Sequence, residues 1–185
     1  MRVTDLELAG LKLIELKIHQ DERGFFTERF NAKAYQQNQL PTQYMQDNHS
    51  RSSPGVLRGL HFQLDPPQGK LVGVTRGRVF DVVVDIRKES PTFKQFFTIE
   101  LTEDNGKLLW IPPGFAHGFY VLGTEPADVI YKVDALYNPA TEQGIYWADP
   151  DLNIPWPIQG GATQPIVSKK DQHLPRFEPF FKRIN

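Results

Sequence analysis

Two glycine-framed segments of this chain each end in a histidine: Gly55-Val-Leu-Arg-Gly-Leu-His61-Phe-Gln63, and Gly106-x5-Pro112-x-Gly114-x2-His117. Lys70 and Gly77 lie between them. Two imidazoles brought together could ligate a divalent transition metal through nitrogen, or carry protons near neutral pH. The neighbouring residues argue against the metal. Lys70 is a strongly hydrated ammonium with three donors and no acceptor, so while charged it cannot ligate a cation and would repel one. Gln63 adds an amide rather than a third imidazole. A pocket furnished in this way suits an anion.

The elements that must position these residues are short and mostly of period two. Phe80, Val82, Val84 and Ile86 alternate with Val79, Asp81, Val83 and Asp85, which reads as a strand with a polar side. Leu11 to Ile18, Phe25 to Phe30, Leu71 to Thr75, Phe96 to Leu101, Leu108 to Ile111 and Val129 to Val133 are further strand candidates. Turn chemistry separates them at Asp21-Glu-Arg-Gly24, Arg76-Gly77-Arg78, Ser90-Pro91-Thr92, Asp104-Asn-Gly106 and Pro112-Pro-Gly114. Many short strands at such intervals imply a sandwich or barrel. Asn31 is placed to cap one short helix through about Gln39, with Pro41 stopping it. From Tyr137 onward the chain is rich in Pro and aromatics without alternation, and is expected to wrap the barrel as irregular structure with a few short helices.

Composition bounds the answer. A chain of 185 residues, 39% hydrophobic, supports one good core and is short for two. It has no cysteine, so disulfides and thiolate metal sites are excluded. Charge interrupts the N-terminal Met1-Arg-Val-Thr-Asp-Leu-Glu, and no apolar run approaches membrane-spanning length, so no membrane partner and a cytoplasmic location are expected. A net charge of -1 argues against nucleic acid as a partner and leaves any anion site to local clusters of Arg and Lys.

The two histidine segments resemble the paired motifs of cupin barrels, in which His-x-His and then Glu, followed by a distant His, ligate a metal. By that resemblance Gln63 stands at the second His and Lys70 at the Glu, and the loop from Leu64 to Gly69 is longer than usual. A more specific resemblance covers nearly the whole chain, in order. Asp21-Glu-Arg-Gly-Phe-Phe-Thr-Glu-Arg-Phe30, Gln46-Asp-Asn-His-Ser50, Gly55 to Gln63, Val82-Val-Val-Asp-Ile-Arg87, Ser90-Pro-Thr-Phe93, Ile111-Pro-Pro-Gly-Phe-Ala-His-Gly-Phe119, Tyr131-Lys132 and Ser168-Lys-Lys-Asp171 resemble the dTDP-4-dehydrorhamnose 3,5-epimerases. Lys94 departs from the pattern, where glycine is expected after Ser-Pro-Thr-Phe.

The resemblance implies an all-β cupin or jelly-roll barrel (a double-stranded β-helix) with a few short peripheral helices. Residues 1–185 would form a single domain with an N-terminal strand arm and an irregular C-terminal wrap. It implies a homodimer whose N-terminal strands cross to the partner, with no metal and no cofactor. The substrate would be a dTDP-linked 4-keto-6-deoxysugar inverted at C3 and C5 on the way to dTDP-rhamnose. Loss of either proton gives an enolate, so a base and an oxyanion stabiliser are the minimum equipment. His61 would be the base, Asp171 would hold its other ring nitrogen, and Lys70 would meet the oxyanion. His117 would bond near the ketone or line the sugar pocket. Tyr131 would return a proton to the opposite face, helped by an adjacent cation such as Lys70. Arg23, Arg58 and Lys169 match contacts to diphosphate or nucleotide; Glu28, Gln46, Asp47, Asn48 and Glu142 match polar contacts to nucleotide and sugar. Phe26 is a candidate to stack on thymine.

Taken singly, each residue has a plainer reading: a core histidine, a solvated lysine, a turn arginine, a surface ion pair. Motif position separates these from His19, His49 and His173, which are read as structural. Other functions remain open at this point: a related deoxysugar-nucleotide 3- or 5-epimerase or ketoisomerase, a metal-dependent cupin enzyme, and a non-catalytic nucleotide-sugar-binding cupin. Gln63 and Lys70 speak against the metal enzyme, and proton exchange on the sugar separates catalysis from mere binding.

Overall fold

A computed structural model describes residues 1–158 and 164–183. Four short strands open the chain: β1 (Arg2–Asp5), β2 (Lys12–Glu15), β3 (Ile18–Asp21) and β4 (Gly24–Thr27). Helix α1 (Ala32–Gln37) follows, then β5 (Gln46–Ser52), β6 (Leu57–Gln63), β7 (Lys70–Arg76), β8 (Arg78–Asp85) and β9 (Phe96–Thr102). After β10 (Lys107–Ile111), β11 (Phe115–Val121), β12 (Ala127–Val133) and β13 (Glu142–Gly144), the described chain ends with α2 (Lys169–Gln172) and α3 (Phe177–Arg183).

The strands form a six-stranded sheet in the order β1-β2-β10-β7-β12-β5, a five-stranded sheet β13-β6-β11-β8-β9, and the separate hairpin β3-β4. Neighbouring strands within them pair antiparallel. The two larger sheets close on one apolar interior. Val72, Val74, Leu109 and Val129 come from one side, and Val79, Val83, Leu101, Phe115, Phe119 and Val121 from the other.

Outer faces are apolar too, which explains why alternation is muted in the sequence. On the five-stranded sheet, Leu60, Phe62, Val82, Val84 and Ala116 pack under Ile145, Leu152, Ile154 and the α3 residues Phe177, Phe180 and Phe181. The expected C-terminal wrap is therefore this cover. On the six-stranded sheet, Ile14, Leu71, Leu108 and Trp110 pack with Tyr35 of α1 and with Leu40. Helix α1 begins where expected: the Ala34 N–H donates to Asn31 Oδ1 at 3.1 Å.

Strand β8 illustrates how the fold uses its polar side. Val79 and Val83 point into the interior, so the alternating Asp81 and Asp85 do as well, and both are almost fully buried. Asp85 is held by a bidentate Arg87 (2.9 and 2.7 Å) and by the hydroxyls of Ser90 and Thr92, each at 2.6 Å. Burial works to raise its carboxyl, but these bonds outweigh it and hold it at about 2. Arg87 also donates to Ala9 O at 2.9 Å and lies over the Phe115 ring, tying the N-terminal segment to the barrel. In the same turn Lys94 adopts φ +69, the left-handed conformation that makes glycine the expected residue. Its ammonium pairs with Glu178 and sits over Phe177, contacts that a glycine could not make.

Candidate active site

A β-bulge arranges the site. His61 on β6 pairs directly with His117 on β11, and Arg58 pairs with Phe119, with a register shift between. Residues three apart on a regular strand face opposite ways; the extra residue lets Arg58 and His61 share the inner face. Gly59 occupies the bulge at φ +123, and a Cβ there would lie 2.6 Å from Gly118 Cα and 2.8 Å from His117 O. Only glycine fits so close an approach at that φ.

His61 Nε2 donates to Asp171 Oδ1 at 2.7 Å. Asp171 is carried in the first turn of α2, whose N-cap Ser168 accepts from the Asp171 N–H at 3.0 Å, and its Oδ2 accepts a long bond from Gly59 N. Burial works to raise the Asp171 carboxyl. The His61 bond and charge, with Gly59 and Ser168, outweigh it and leave it below the usual carboxylate range. Because Nε2 carries the proton to the carboxylate, Nδ1 is the basic nitrogen of the neutral ring.

Lys70 reaches from the facing sheet and donates to the His61 carbonyl at 3.3 Å. Burial lowers its ammonium to about 8, against the opposing pull of the Glu142 and Asp81 carboxylates. Tyr131 on β12 pairs with Val72, two residues along from Lys70, and so shares its inward face. Burial raises its phenol; the Arg58 charge opposes this and Glu142 adds to it. Arg58 is thus a cation that acts on Tyr131 beside the Lys70 of the same inner face. Arg58 itself is exposed at the rim, with Nε donating to Ser52 Oγ at 2.9 Å. His117 is buried, and its Nε2 donates to Asp81 Oδ2 at 2.9 Å.

At the mouth, Glu142 gathers Lys170 and the Tyr137 hydroxyl, the latter at 2.8 Å. Burial would raise Glu142, but Lys170, Tyr137 and the His61 charge hold it low. Gln46 accepts from Tyr137 N at 3.1 Å and donates to Asn48 Oδ1 at 2.8 Å, so both line the same inner row of β5. Asp47, between them, points to the outer face, where Lys132 binds it at 2.6 Å. Strand alternation therefore removes Asp47 from this pocket.

Arg23 and Glu28 also lie apart. Arg23 sits on the β3-β4 hairpin tied to Asp21, Glu28 accepts from Asn31 at 3.2 Å, and Phe26 is 69% exposed beside them. Lys169 is exposed, and among the described residues only its carbonyl is engaged, by His173. The lysine at the mouth is Lys170, which occupies the third position of Ser-x-Lys-Asp; counting that motif from Ser168 points to it. Tyr137 and Asp81 are the other polar neighbours of the site outside the expected set. Asp81 was legible only as part of the polar side of β8, which the structure turns inward, and nothing in the irregular stretch around Tyr137 singled that residue out. Among the described residues, no group of three or more His, Asp or Glu is placed to hold a metal ion.

The fold and site together define a cupin-type barrel whose inner wall carries a His-Asp dyad. The sequence profile described as dTDP-4-dehydrorhamnose 3,5-epimerase matches residues 5–179, and the chain belongs to this family. It is 47% identical over 179 residues to the dTDP-4-dehydrorhamnose 3,5-epimerase of Shigella flexneri, covering 96% of each protein. The crystal structure of the Legionella pneumophila 3,5-epimerase in complex with dTDP-4-keto-L-rhamnose superposes with a TM-score of 0.87 at 46% identity, over 95% of this chain and 98% of that one. The Bacillus anthracis epimerase with TDP and PPi bound gives a TM-score of 0.89 at 43% identity, over 95% and 99%.

Proposed function

We propose that this chain epimerises dTDP-4-dehydro-6-deoxy-D-glucose at C3 and C5 to dTDP-4-dehydro-L-rhamnose, as a step toward dTDP-rhamnose. The observation that carries this reading is the 2.7 Å His61–Asp171 pair facing Lys70 and Tyr131 across the barrel interior. The dTDP-4-keto-L-rhamnose bound by the Legionella relative supports the substrate class.

His61 Nδ1 takes the proton from C3 or C5, and Asp171 stabilises the imidazolium that results. Charge then appears on the C4 oxygen, where the Lys70 ammonium meets it; one such fixed donor supplies roughly 3 kcal/mol in the transition state. Tyr131, on the opposite wall, returns a proton to the other face and so inverts the carbon. His117 lines the floor beside the ketone. Arg58 and Lys170 hold the diphosphate, with Lys170 taking the part first expected of Lys169. Gln46, Asn48 and Glu142 bind sugar and nucleotide. Arg23, Glu28 and Phe26 fit this scheme as parts of a neighbouring subunit's pocket in a homodimer, since their own hairpin stands apart. Residues 1–185 act as one epimerase unit, working in the cytoplasm.

The test is proton NMR of the 4-keto nucleotide sugar in D2O with the purified protein. Deuterium entering both C3 and C5, with rhamno-configured product, is the expected outcome. Label at one carbon alone would make the protein a single-site epimerase, and no label would leave a binding protein.

A further inference from the structure

One buried carboxylate has no part in the scheme above. Asp81 is 1% exposed on the inner face of β8; its Oδ2 accepts from His117, while its Oδ1 has no hydrogen-bond partner among the described residues. An orphaned carboxylate oxygen inside a barrel is costly to keep, because it has given up its bonds to water without replacing them. A floor built only for packing would carry an apolar residue here, like Val79 and Val83 on the same face. Lys70 shows the complementary deficit: of its three donors, one makes a single bond of 3.3 Å, to the His61 carbonyl.

We propose that Asp81 is a positioning residue for the epimerisation: through His117 and its unpaired Oδ1 it fixes the floor of the site and supplies the counter-charge that keeps Lys70 an ammonium beneath the substrate's C4 oxygen. This rests on the oxyanion role proposed for Lys70. The chemistry is consistent on both sides. The bond to His117 Nε2 sets that ring's tautomer and orientation, and His117 stands directly opposite His61 in the β6–β11 register. Glu142 and, after it, Asp81 act on Lys70 electrostatically, opposing the burial that lowers its ammonium. The titratable and charged groups that share the inner face with this ammonium are His61 and Arg58 from β6, Asp81 from β8, His117 from β11, Tyr131 from β12 and Glu142 from β13. Asp171 of α2 stands behind His61. Glu142 is engaged by Lys170 and Tyr137 through Oε2, at the mouth, whereas Asp81 keeps a fully buried Oδ1 without a partner among the described residues.

The experiment compares Asp81→Asn with the parent protein, and Lys70→Met with the double variant, in the D2O exchange assay across pH. For Asp81→Asn we expect kcat to fall by up to about 100-fold. The alkaline limb of kcat/KM should move to lower pH by on the order of one unit, tracked by the Lys70 titration in NMR of 13C-labelled lysine. Binding of dTDP should stay within about 3-fold, because the diphosphate contacts are untouched. In the Lys70→Met background the same change should cost less than about 3-fold, since its target is gone. Asp81→Ser, which removes the charge without adding volume, carries the same expectations should Asp81→Asn fail to fold. An unmoved alkaline limb and Lys70 titration, or an equal loss in both backgrounds, would overturn the role of Asp81. Lys70→Met exchanging at the parent rate would instead overturn the role of Lys70.

Discussion

At the residue scale the dyad carries the sharpest expectations. His61→Asn should lower exchange at both carbons by about 10³-fold, within the range removed with a general base, while dTDP still binds; exchange near the parent rate would mean another base. Tyr131→Phe removes the proposed proton source on the opposite wall but leaves the base and Lys70 in place. Exchange should then outrun inversion in time-resolved NMR, with C5 suffering more than C3, and a parallel loss of both would place Tyr131 in proton removal or substrate positioning. With Gln63 donating to the Pro66 and Leu136 carbonyls and Lys70 on the inner wall, we also expect full activity after exhaustive chelation; metal-dependent recovery would refute this. His61, Asp171, Lys70 and Tyr131 were legible because each sits in a motif. Asp47 misled because residues adjacent on a strand look equivalent in sequence yet face opposite sides of the sheet. Lys169 misled for a similar reason, since neighbouring lysines on a helical turn point in different directions and the shorter reach to Glu142 belongs to Lys170.

At the element scale, the strands with apolar runs were legible almost to their ends: β7, β9, β10 and β12 fall within a residue or two of the expected ranges. Strand β5 was not, because Gln46 to Ser52 contains no apolar residue; its pairing with β12, and not its own propensity, makes it a strand. The bulge at Gly59 was equally hidden, since a register shift belongs to two strands at once. The Asp85 network predicts an acid weakness. Its carboxyl lies near 2 in the folded protein against an ordinary value of 3.8, so its contribution is complete above about pH 4 and disappears as pH falls toward 2. Replacing Asp85 with Asn should therefore destabilise the protein at pH 7 by about 2–3 kcal/mol, leaving Arg87 and two hydroxyls short of an acceptor. Part of that difference should be gone at pH 2.5. Urea melts of both proteins at the two pH values test this, and an equal gap at both would rule the carboxylate out as the source.

At the scale of the whole molecule, the expected irregular C-terminal wrap proves to be a roof on the five-stranded sheet. Phe177, Phe180 and Phe181 are each buried against it, and at about 1.5–3 kcal/mol per side chain they contribute roughly 5–9 kcal/mol, comparable to the net stability of a typical domain. Ending the chain after Arg176 should yield protein that binds 1-anilinonaphthalene-8-sulfonate and lacks a sharp thermal transition; a truncated protein melting like the parent would show that the roof is dispensable. Aromatic content marked this segment as buried but could not say against what, because its contacts are all distant in sequence. The same distance separates the two halves of the dyad, which lie 110 residues apart. During synthesis at roughly 5–20 residues per second, His61 is added about 5–20 s before its carboxylate exists. A nascent chain therefore has a histidine without its orienting partner until the codons of α2 have been read, so the dyad forms only after every strand of both sheets has been made.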